Sequence, residues 1–329
     1  MTVQRRFIFL FILFLFGFIL NMVLGSVIVP LSSWWHLFRG QNLDNGTQAI
    51  LLYRLAKATT AILTGSALAL SGLFMQSIFR NPIVGPYVLG TSSAAGLGVA
   101  LLILGSAIGG FYLPDLSIAT AAAIGSILSL LLIMLLYYKL KSIVNLLVAG
   151  LMLGIFTGAI INMLSYFTQA EALQKFVFWS MGNLGNQSWS RIIITGIIVF
   201  AIAFFSLLYV KDLNALLLGE NYAKAMGVNI HATHRRLLIL SGILVGVITA
   251  FTGPIAFVGL AVPHIARLFF KTYMHQILIP AVLLIGAILM LLCDTIAQVP
   301  GSALTLPINS ITAVFGAPLV VYLIMKKSV

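Results

Sequence analysis

The chain has 329 residues, of which 61% are hydrophobic and only 7% charged, with 18 Lys and Arg against 6 Asp and Glu. A soluble chain carries roughly 25% charged residues, so this composition excludes a soluble enzyme, a disordered chain and a nucleic-acid binder. What remains is an all-α polytopic membrane protein, and the net charge of +12 has to be read in that setting.

Arg5 and Arg6 precede an apolar run from Phe7 to about Val29. The run is longer than the apolar core of a signal peptide and no convincing cleavage site follows, so it reads as a retained first span. Nine further apolar segments follow at about 52–79, 86–109, 117–138, 143–167, 190–210, 236–252, 255–270, 276–298 and 308–325. They are continuous and rich in Leu, Ile, Ala and Gly, unlike the alternating strands of a membrane barrel. The stretch 237–270 would form a helix of about 51 Å, which exceeds the bilayer. Gly253-Pro254 lies in its middle, and Pro breaks helices, so the stretch reads as two short spans.

The basic residues set the orientation. With alternating spans and the N-terminus inside, 13 basic residues fall inside, among them Arg5, Arg6, Arg80, Lys139, Lys141, Lys211, Arg267, Lys326 and Lys327, and 5 fall outside: Arg39, Arg54, Lys57, Lys175 and Arg191. Including Asp212 and Glu220 inside, and Asp44, Asp115, Glu171 and Asp294 outside, the inner face carries +11 and the outer +1. The basic excess is topology, with about ten transmembrane helices and both termini cytoplasmic. The chain is expected to be a single transmembrane domain over 1–329.

Two loops are too long to be simple turns. The outer one, about 168–189, holds Trp179, Gly182 and Trp189 and suits an interfacial helix with aromatic anchors. The inner one, about 211–235, is the largest polar stretch. Leu213, Leu216 and Leu217 precede Gly219, and Glu220 to Met226 precede Gly227. The two glycines look like helix stops, giving two short helices on the inner face.

Much chemistry is absent. Gly85 to Ser92 lacks the Lys of a phosphate-binding loop, and no His-Glu-x-x-His zinc pattern or recognisable catalytic triad is present, so no catalytic and no metal-ligating residues are assigned. Ionisable residues inside spans are default functional candidates, and here they reduce to Asp294 and His264. A carrier coupled to protons or sodium usually keeps a relay near the midplane. Its absence points to energy from another subunit, against the alternatives of a stand-alone secondary carrier, a channel or an intramembrane enzyme. Small residues such as Gly65, Ser66, Ala69, Ser71 and Gly72 suit close helix packing.

Several motifs carry a resemblance. They are Arg54-Leu55-Ala56-Lys57, Ser71-Gly72 to Gln76, Arg80-Asn81-Pro82-Ile83 with Leu89-Gly90, and Leu146 to Gly150. Further along come Phe178-Trp179 with Gly182, Leu218-Gly219-Glu220 with Ala223 and Gly227-Val228, Gly253 to Leu260, Pro263 to Arg267, and Leu306-Pro307 with Thr312 and Gly316-Ala317-Pro318. In this order and spacing the chain resembles the FecCD family, membrane permeases of ABC importers for iron–siderophores, haem and cobalamin, over about residues 50–325. The resemblance implies a type II ABC importer permease fold in the cytoplasmic (inner) membrane of a bacterium. It implies a second permease chain, identical or closely related, two ATPase subunits inside and an extracytoplasmic substrate-binding protein outside. ATP and Mg would belong to the ATPase, with no cofactor on this chain and no nucleic-acid partner. The cargo class it suggests first is iron–siderophore, with haem or cobalamin as alternatives. Three positions depart from the family's usual residues: Gln298 replaces an Arg, Asn309 a Gly, and Gly85 an acid.

On that resemblance, Leu213, Leu216, Leu217, Gly219, Glu220, Ala223 and Gly227 are the expected ATPase-coupling residues. Gly219, Ala223 and Gly227 recur every four residues, which would leave one shallow helical face. Arg54 and Lys57, three apart on one face at the outer mouth, are expected to dock the binding protein, with interfacial anchoring as the alternative. Asn81, Pro82, Ser142 and Asn145 enter spans from the inner side and are expected at an inner gate. His264 and Arg267 are read as stabilising the end of the short eighth span.

Overall fold

The structure is a computed structural model that describes residues 2–25, 27, 29–39, 44–109, 116–140, 142–185, 187–299, 301–302 and 304–327. Asp115 and Lys141 of the charge ledger lie outside the described residues. In chain order the helices are α1 (Val3–Val23), α2 (Leu31–Phe38), α3 (Asn45–Ile78), α4 (Thr91–Gly109), α5 (Leu116–Leu140), α6 (Ile143–Phe167), α7 (Ala170–Ser180), α8 (Trp189–Leu208), α9 (Val210–Leu217), α10 (Glu220–Ala225), α11 (Ile230–Thr252), α12 (Val258–Phe270), α13 (His275–Ala297) and α14 (Ile308–Lys327). Among the described residues, eight helices are long and apolar enough to cross a membrane. The 13-residue α12 and the 20-residue α14 account for the remaining two expected segments.

Two helices start earlier than hydropathy suggests, because polar caps set their ends. Asp44 Oδ2 accepts from the Gly46 amide at 3.2 Å and starts α3 at Asn45. Asn229 Oδ1 accepts from the Ala232 amide at 3.0 Å and starts α11 at Ile230. Both are side-chain N-caps. The short α2, with Trp34 buried and Trp35 exposed beneath the Arg39 guanidinium at 4.6 Å, is a feature the hydropathy reading did not contain.

At 34 residues α3 is about 51 Å long, and it is the axis of the molecule. It packs on α13, α11 and α12, mostly through small residues. A Cβ added to Gly65 would sit 2.1 Å from the Gly286 carbonyl oxygen of α13, and one on Gly72 would sit 1.7 Å from the Gly259 carbonyl oxygen of α12. Ser71 and Ser241 hydroxyls meet at 2.5 Å between α3 and α11. In a bilayer, where lipid offers no hydrophobic drive between helices, such backbone approach and interhelical hydrogen bonding is what holds spans together. The packing reading of these residues is what the geometry shows.

A second group joins α4 to α5, α6 and α7. Added Cβ atoms at Gly98 and Gly125 would lie 2.3 Å and 2.2 Å from the carbonyl oxygens of Ala121 and Ala94. The long run 237–270 is broken as expected, between Thr252 and Val258. Gly253 takes φ +73°, a conformation a Cβ disfavours, and a Cβ there would lie 2.5 Å from the Trp179 carbonyl oxygen. The break is held from three sides. Asn183 N donates to Thr252 O at 2.8 Å, Ala256 N donates to Asn309 Oδ1 at 2.9 Å, and Ile255 N donates to the Tyr87 hydroxyl at 3.1 Å. The departure to Asn309 thus supplies an acceptor to an otherwise open backbone amide.

Candidate functional site

The inner loop folds as two short helices, α9 and α10, in line with the two expected glycine stops. Gly219 at φ +117° separates them and Gly227 at φ +83° ends the second. Both values are accessible chiefly to glycine. These turns overturn one expectation. Residues four apart share a face only on an unbroken helix, and here the helix is interrupted at Gly219. Ala223 is fully buried, packed with Ala215 and Leu216, so it does not form an outward shallow face. Leu213 and Leu216 are buried as well. Of the expected coupling residues, Leu217, Glu220 and Gly227 are exposed. The surface that faces outward also includes Leu218, Tyr222 and Met226, which are 64%, 53% and 60% exposed. Large apolar side chains in a polar loop were the available signal for these three.

Polar side chains fasten this pair of helices to the spans. Thr233 Oγ1 of α11 donates to Asp212 Oδ2 of α9 at 3.0 Å. Asn214 Oδ1 of α9 lies 2.9 Å from both the backbone N and the Nδ1 of His275, the first residue of α13. The other ring nitrogen, Nε2, lies 2.8 Å from Ser77 Oγ near the inner end of α3. His275 and Ser77 are 1% and 5% exposed, so the bonds are shielded from competing water. Asn214 and His275 thus link α9 to the axial helix α3 through consecutive hydrogen bonds. Nothing in the local sequence around Asn214, His275 or Ser77 announces this, because each lies on a different element.

The expected gate residues lie on two segments, Asn81 and Pro82 after α3, and Ser142 with Asn145 at the start of α6. Asn81 Oδ1 accepts from the Ile83 amide at 3.0 Å, and Pro82 O lies 2.9 Å from His264 Nε2. Ser142 Oγ accepts from the Asn145 amide at 3.4 Å as the cap of α6. Among the described residues, no side-chain hydrogen bond joins one segment to the other. The segments come together through backbone instead: a Cβ on Gly150 of α6 would sit 2.3 Å from Val88 O in the 3-10 turn Pro86–Leu89. Arg267 Nη1 donates to Gln76 Oε1 at 2.5 Å, so His264 and Arg267 tie α12 to its neighbours.

At the outer end the placement of Arg54 and Lys57 differs from the docking expectation. Arg54 is 5% exposed. Its Nη1 donates to Met22 O at 2.9 Å and Val23 O at 3.0 Å, and its Nη2 donates to Val27 O. The first two carbonyls close α1, where helix geometry leaves acceptors without partners, and a cation there also meets the negative end of the helix dipole. Lys57 Nζ lies 3.0 Å from Asp294 Oδ1. Asp294 Oδ2 accepts from Asn21 Nδ2 at 3.0 Å and from Gln298 Nε2 at 2.8 Å. Both cations are therefore engaged inside the chain. The pair forms a clasp between α1, α3 and α13, and an acidic residue on a docking protein would have to compete with these bonds. Gln298, the replacement for an expected Arg, completes that clasp.

Comparison with known proteins agrees with this architecture. Residues 13–326 match the FecCD transport family. The hemin transport system permease protein HmuU of Yersinia pestis is 35% identical over 279 residues, covering 83% of this chain and 82% of that protein. The vitamin B12 import system permease protein BtuC of Klebsiella pneumoniae is 32% identical over 326 residues, covering 98% and 95%. A solved structure described as an inward-facing conformation of a metal-chelate type ABC transporter superposes with a TM-score of 0.85 at 30% identity, over 99% of this chain and 100% of that one. With the match running through nearly every span described above, the chain belongs to the FecCD transport family, as a multi-pass inner-membrane permease subunit of an ABC importer of metal chelates whose ATP hydrolysis takes place on a separate ATPase.

Proposed function

We propose that the chelate carried is a tetrapyrrole-type metal complex, haem or a cobalamin, in preference to the iron–siderophore suggested by the sequence motifs. The observation that carries this is the pair of relatives above, which are named for hemin and vitamin B12 and align over 83% and 98% of this chain. The partners follow from the family's general architecture. A second permease chain completes the pathway, two ATPases act from the inner face and a binding protein delivers the chelate from outside. The coupling element is α9–α10, with Leu217, Leu218, Glu220, Tyr222 and Met226 facing the ATPase. The segments at Asn81–Pro82 and Ser142–Asn145 form the inner constriction.

The test is ATP-driven uptake in proteoliposomes that contain the whole importer. Hemin, cyanocobalamin and a ferric siderophore are presented separately with the cognate binding protein. Accumulation of hemin or cyanocobalamin supports the proposal; accumulation of the ferric siderophore alone overturns it.

A further inference from the structure

Three elements meet at the start of α14, and Asn309 in its first turn ties them together. The Asn309 backbone N donates to Met181 O, at the end of α7, at 3.2 Å. Its Oδ1 accepts from the Ala256 amide at 2.9 Å. Ala256 lies in the linker between α11 and α12, where no helix supplies a partner for its amide. A Cβ on Gly182 would meet Ile308 Cγ2 at 3.1 Å and Pro254 O at 3.2 Å, so the chain after α7, the linker and the head of α14 touch at one point. Ile255 and Ile308 are 0% and 4% exposed, which keeps water from competing for these bonds. Further along α14, a Cβ on Gly316 would lie 2.4 Å from Phe257 Cβ. Positions 309 and 316 are about two turns apart and share a face, so that face of α14 lies along the linker. The linker's other tie is separate: the Ile255 amide donates to the Tyr87 hydroxyl of the turn Pro86–Leu89 at 3.1 Å.

We propose that Asn309 is a latch that holds the outer end of the pathway shut, a positioning residue for transport that acts through the linker. Helix α7 belongs to the outer loop and α14 enters the membrane from the same side, so an opening for incoming cargo has to part them. Parting α14 from the linker strands the half-buried Ala256 amide, and an unpaired amide is costly enough to favour the shut form. The solved structure on which this chain superposes is described as inward-facing, a conformation that needs a shut outer end. The latch rests on the importer reading for its role in transport, and not on which chelate is carried.

The first test is hydrogen–deuterium exchange on the purified full-length permease. Asn309→Ala is expected to speed exchange about 2- to 12-fold over residues 253–257 and also over 181–185, the population shift equal to one net hydrogen bond. Asn309→Asp keeps an acceptor oxygen and should exchange like the parent protein. Tyr87→Phe removes the neighbouring bond to Ile255 and should loosen the linker alone. Faster exchange confined to the linker in Asn309→Ala, or equal loosening of 181–185 by Tyr87→Phe, overturns the latch. A lower melting temperature with faster exchange throughout the chain does so too, because Asn309 would then only support the fold. The second test is ATP-driven uptake by the whole importer in proteoliposomes, measured against the concentration of loaded binding protein. Asn309→Ala should lower the half-saturating concentration by the same factor, since more of the permease is ready to receive cargo, and Asn309→Asp should leave it unchanged. A slower maximal rate at unchanged half-saturation overturns the latch. Absence of uptake by the parent protein would count against the importer reading, and the exchange measurement would still decide the latch.

Discussion

Lys57 and Asp294 form an ion pair of 3.0 Å whose side chains are 13% and 2% exposed, between the outer halves of α3 and α13. Breaking a buried pair by removing one partner strands the other charge, whereas removing both does not. Asp294→Leu or Lys57→Met alone should therefore destabilise the permease by about 3–5 kcal/mol, and the double variant by clearly less. Thermal unfolding in detergent reads the difference. Additive losses would mean that the two charges do not depend on each other.

Arg54 satisfies three carbonyls at and beyond the end of α1. Arg54→Met leaves the buried Met22 carbonyl without a donor, at about 1–3 kcal/mol, while Val23 O keeps the Val29 amide at 3.4 Å and Val27 is exposed. The expected outcome is a lower melting temperature and faster proteolysis around residues 22–27. If Arg54→Met melted like the parent protein and lost only salt-sensitive capture of the binding protein, the docking role would have to be reinstated.

The outward side of α9–α10 should tolerate polar substitution without loss of fold. Leu218→Asp and Tyr222→Asp are expected to keep the melting temperature and to lose co-purification with the ATPase. Ala223→Trp is a different experiment. That side chain is fully buried, so the added bulk should cost about 1–3 kcal/mol of stability before any coupling can be measured. Retained ATPase binding by both surface variants would remove these residues from the coupling face.

Asn214, His275 and Ser77 form the line from α9 to α3. His275→Ala should leave ATPase binding in place and reduce ATP-driven transport about 2- to 30-fold, the usual range for residues that carry coupling between sites. Asn214→Asp keeps an acceptor for both His275 donors and should retain most transport. A parallel fall in ATPase binding and transport for His275→Ala would assign the histidine to assembly instead.

Two glycines in the spans make a matched pair. A Cβ at Gly72 meets the Gly259 carbonyl oxygen at 1.7 Å, whereas Gly105 of α4 has nothing within 4 Å. Gly72→Ala should prevent stable accumulation of the permease, at a cost above about 3 kcal/mol because backbone cannot rotate out of the way. Gly105→Ala should be neutral or stabilise by up to about 1 kcal/mol through helix propensity. Equal expression of the two variants would contradict the close crossing of α3 and α12.

The spans were legible in the sequence because hydropathy records contact with lipid. That signal is clear for α1, α5, α6 and α8, which are largely unburied in the chain itself. It faded at the starts of α3 and α11, where Asp44 and Asn229 cap helices inside polar stretches. The break at Gly253-Pro254 was readable because both residues constrain backbone locally. The four-residue spacing of Gly219, Ala223 and Gly227 misled, since a helical face presupposes a helix and two positive-φ glycines interrupt this one. Arg54 and Lys57 do share a face of α3, but their partners lie on or just beyond α1 and on α13. Local pattern carries no information about partners that distant, so two internally engaged cations looked like a free pair.

The glycine crossings bear on how the permease moves. Gly65 meets Gly286, and Gly72 meets Gly259, with bare backbone on both sides. At these two crossings backbone meets backbone, and a slip of one residue would drive a Cβ into a carbonyl oxygen. Helices α3, α12 and α13 are therefore expected to travel as one rigid body during the transport cycle. Shear would be confined to seams where side chains interleave, such as α3 against α8, where the nearest neighbour of a Cβ on Gly196 is the Leu63 side chain at 3.7 Å.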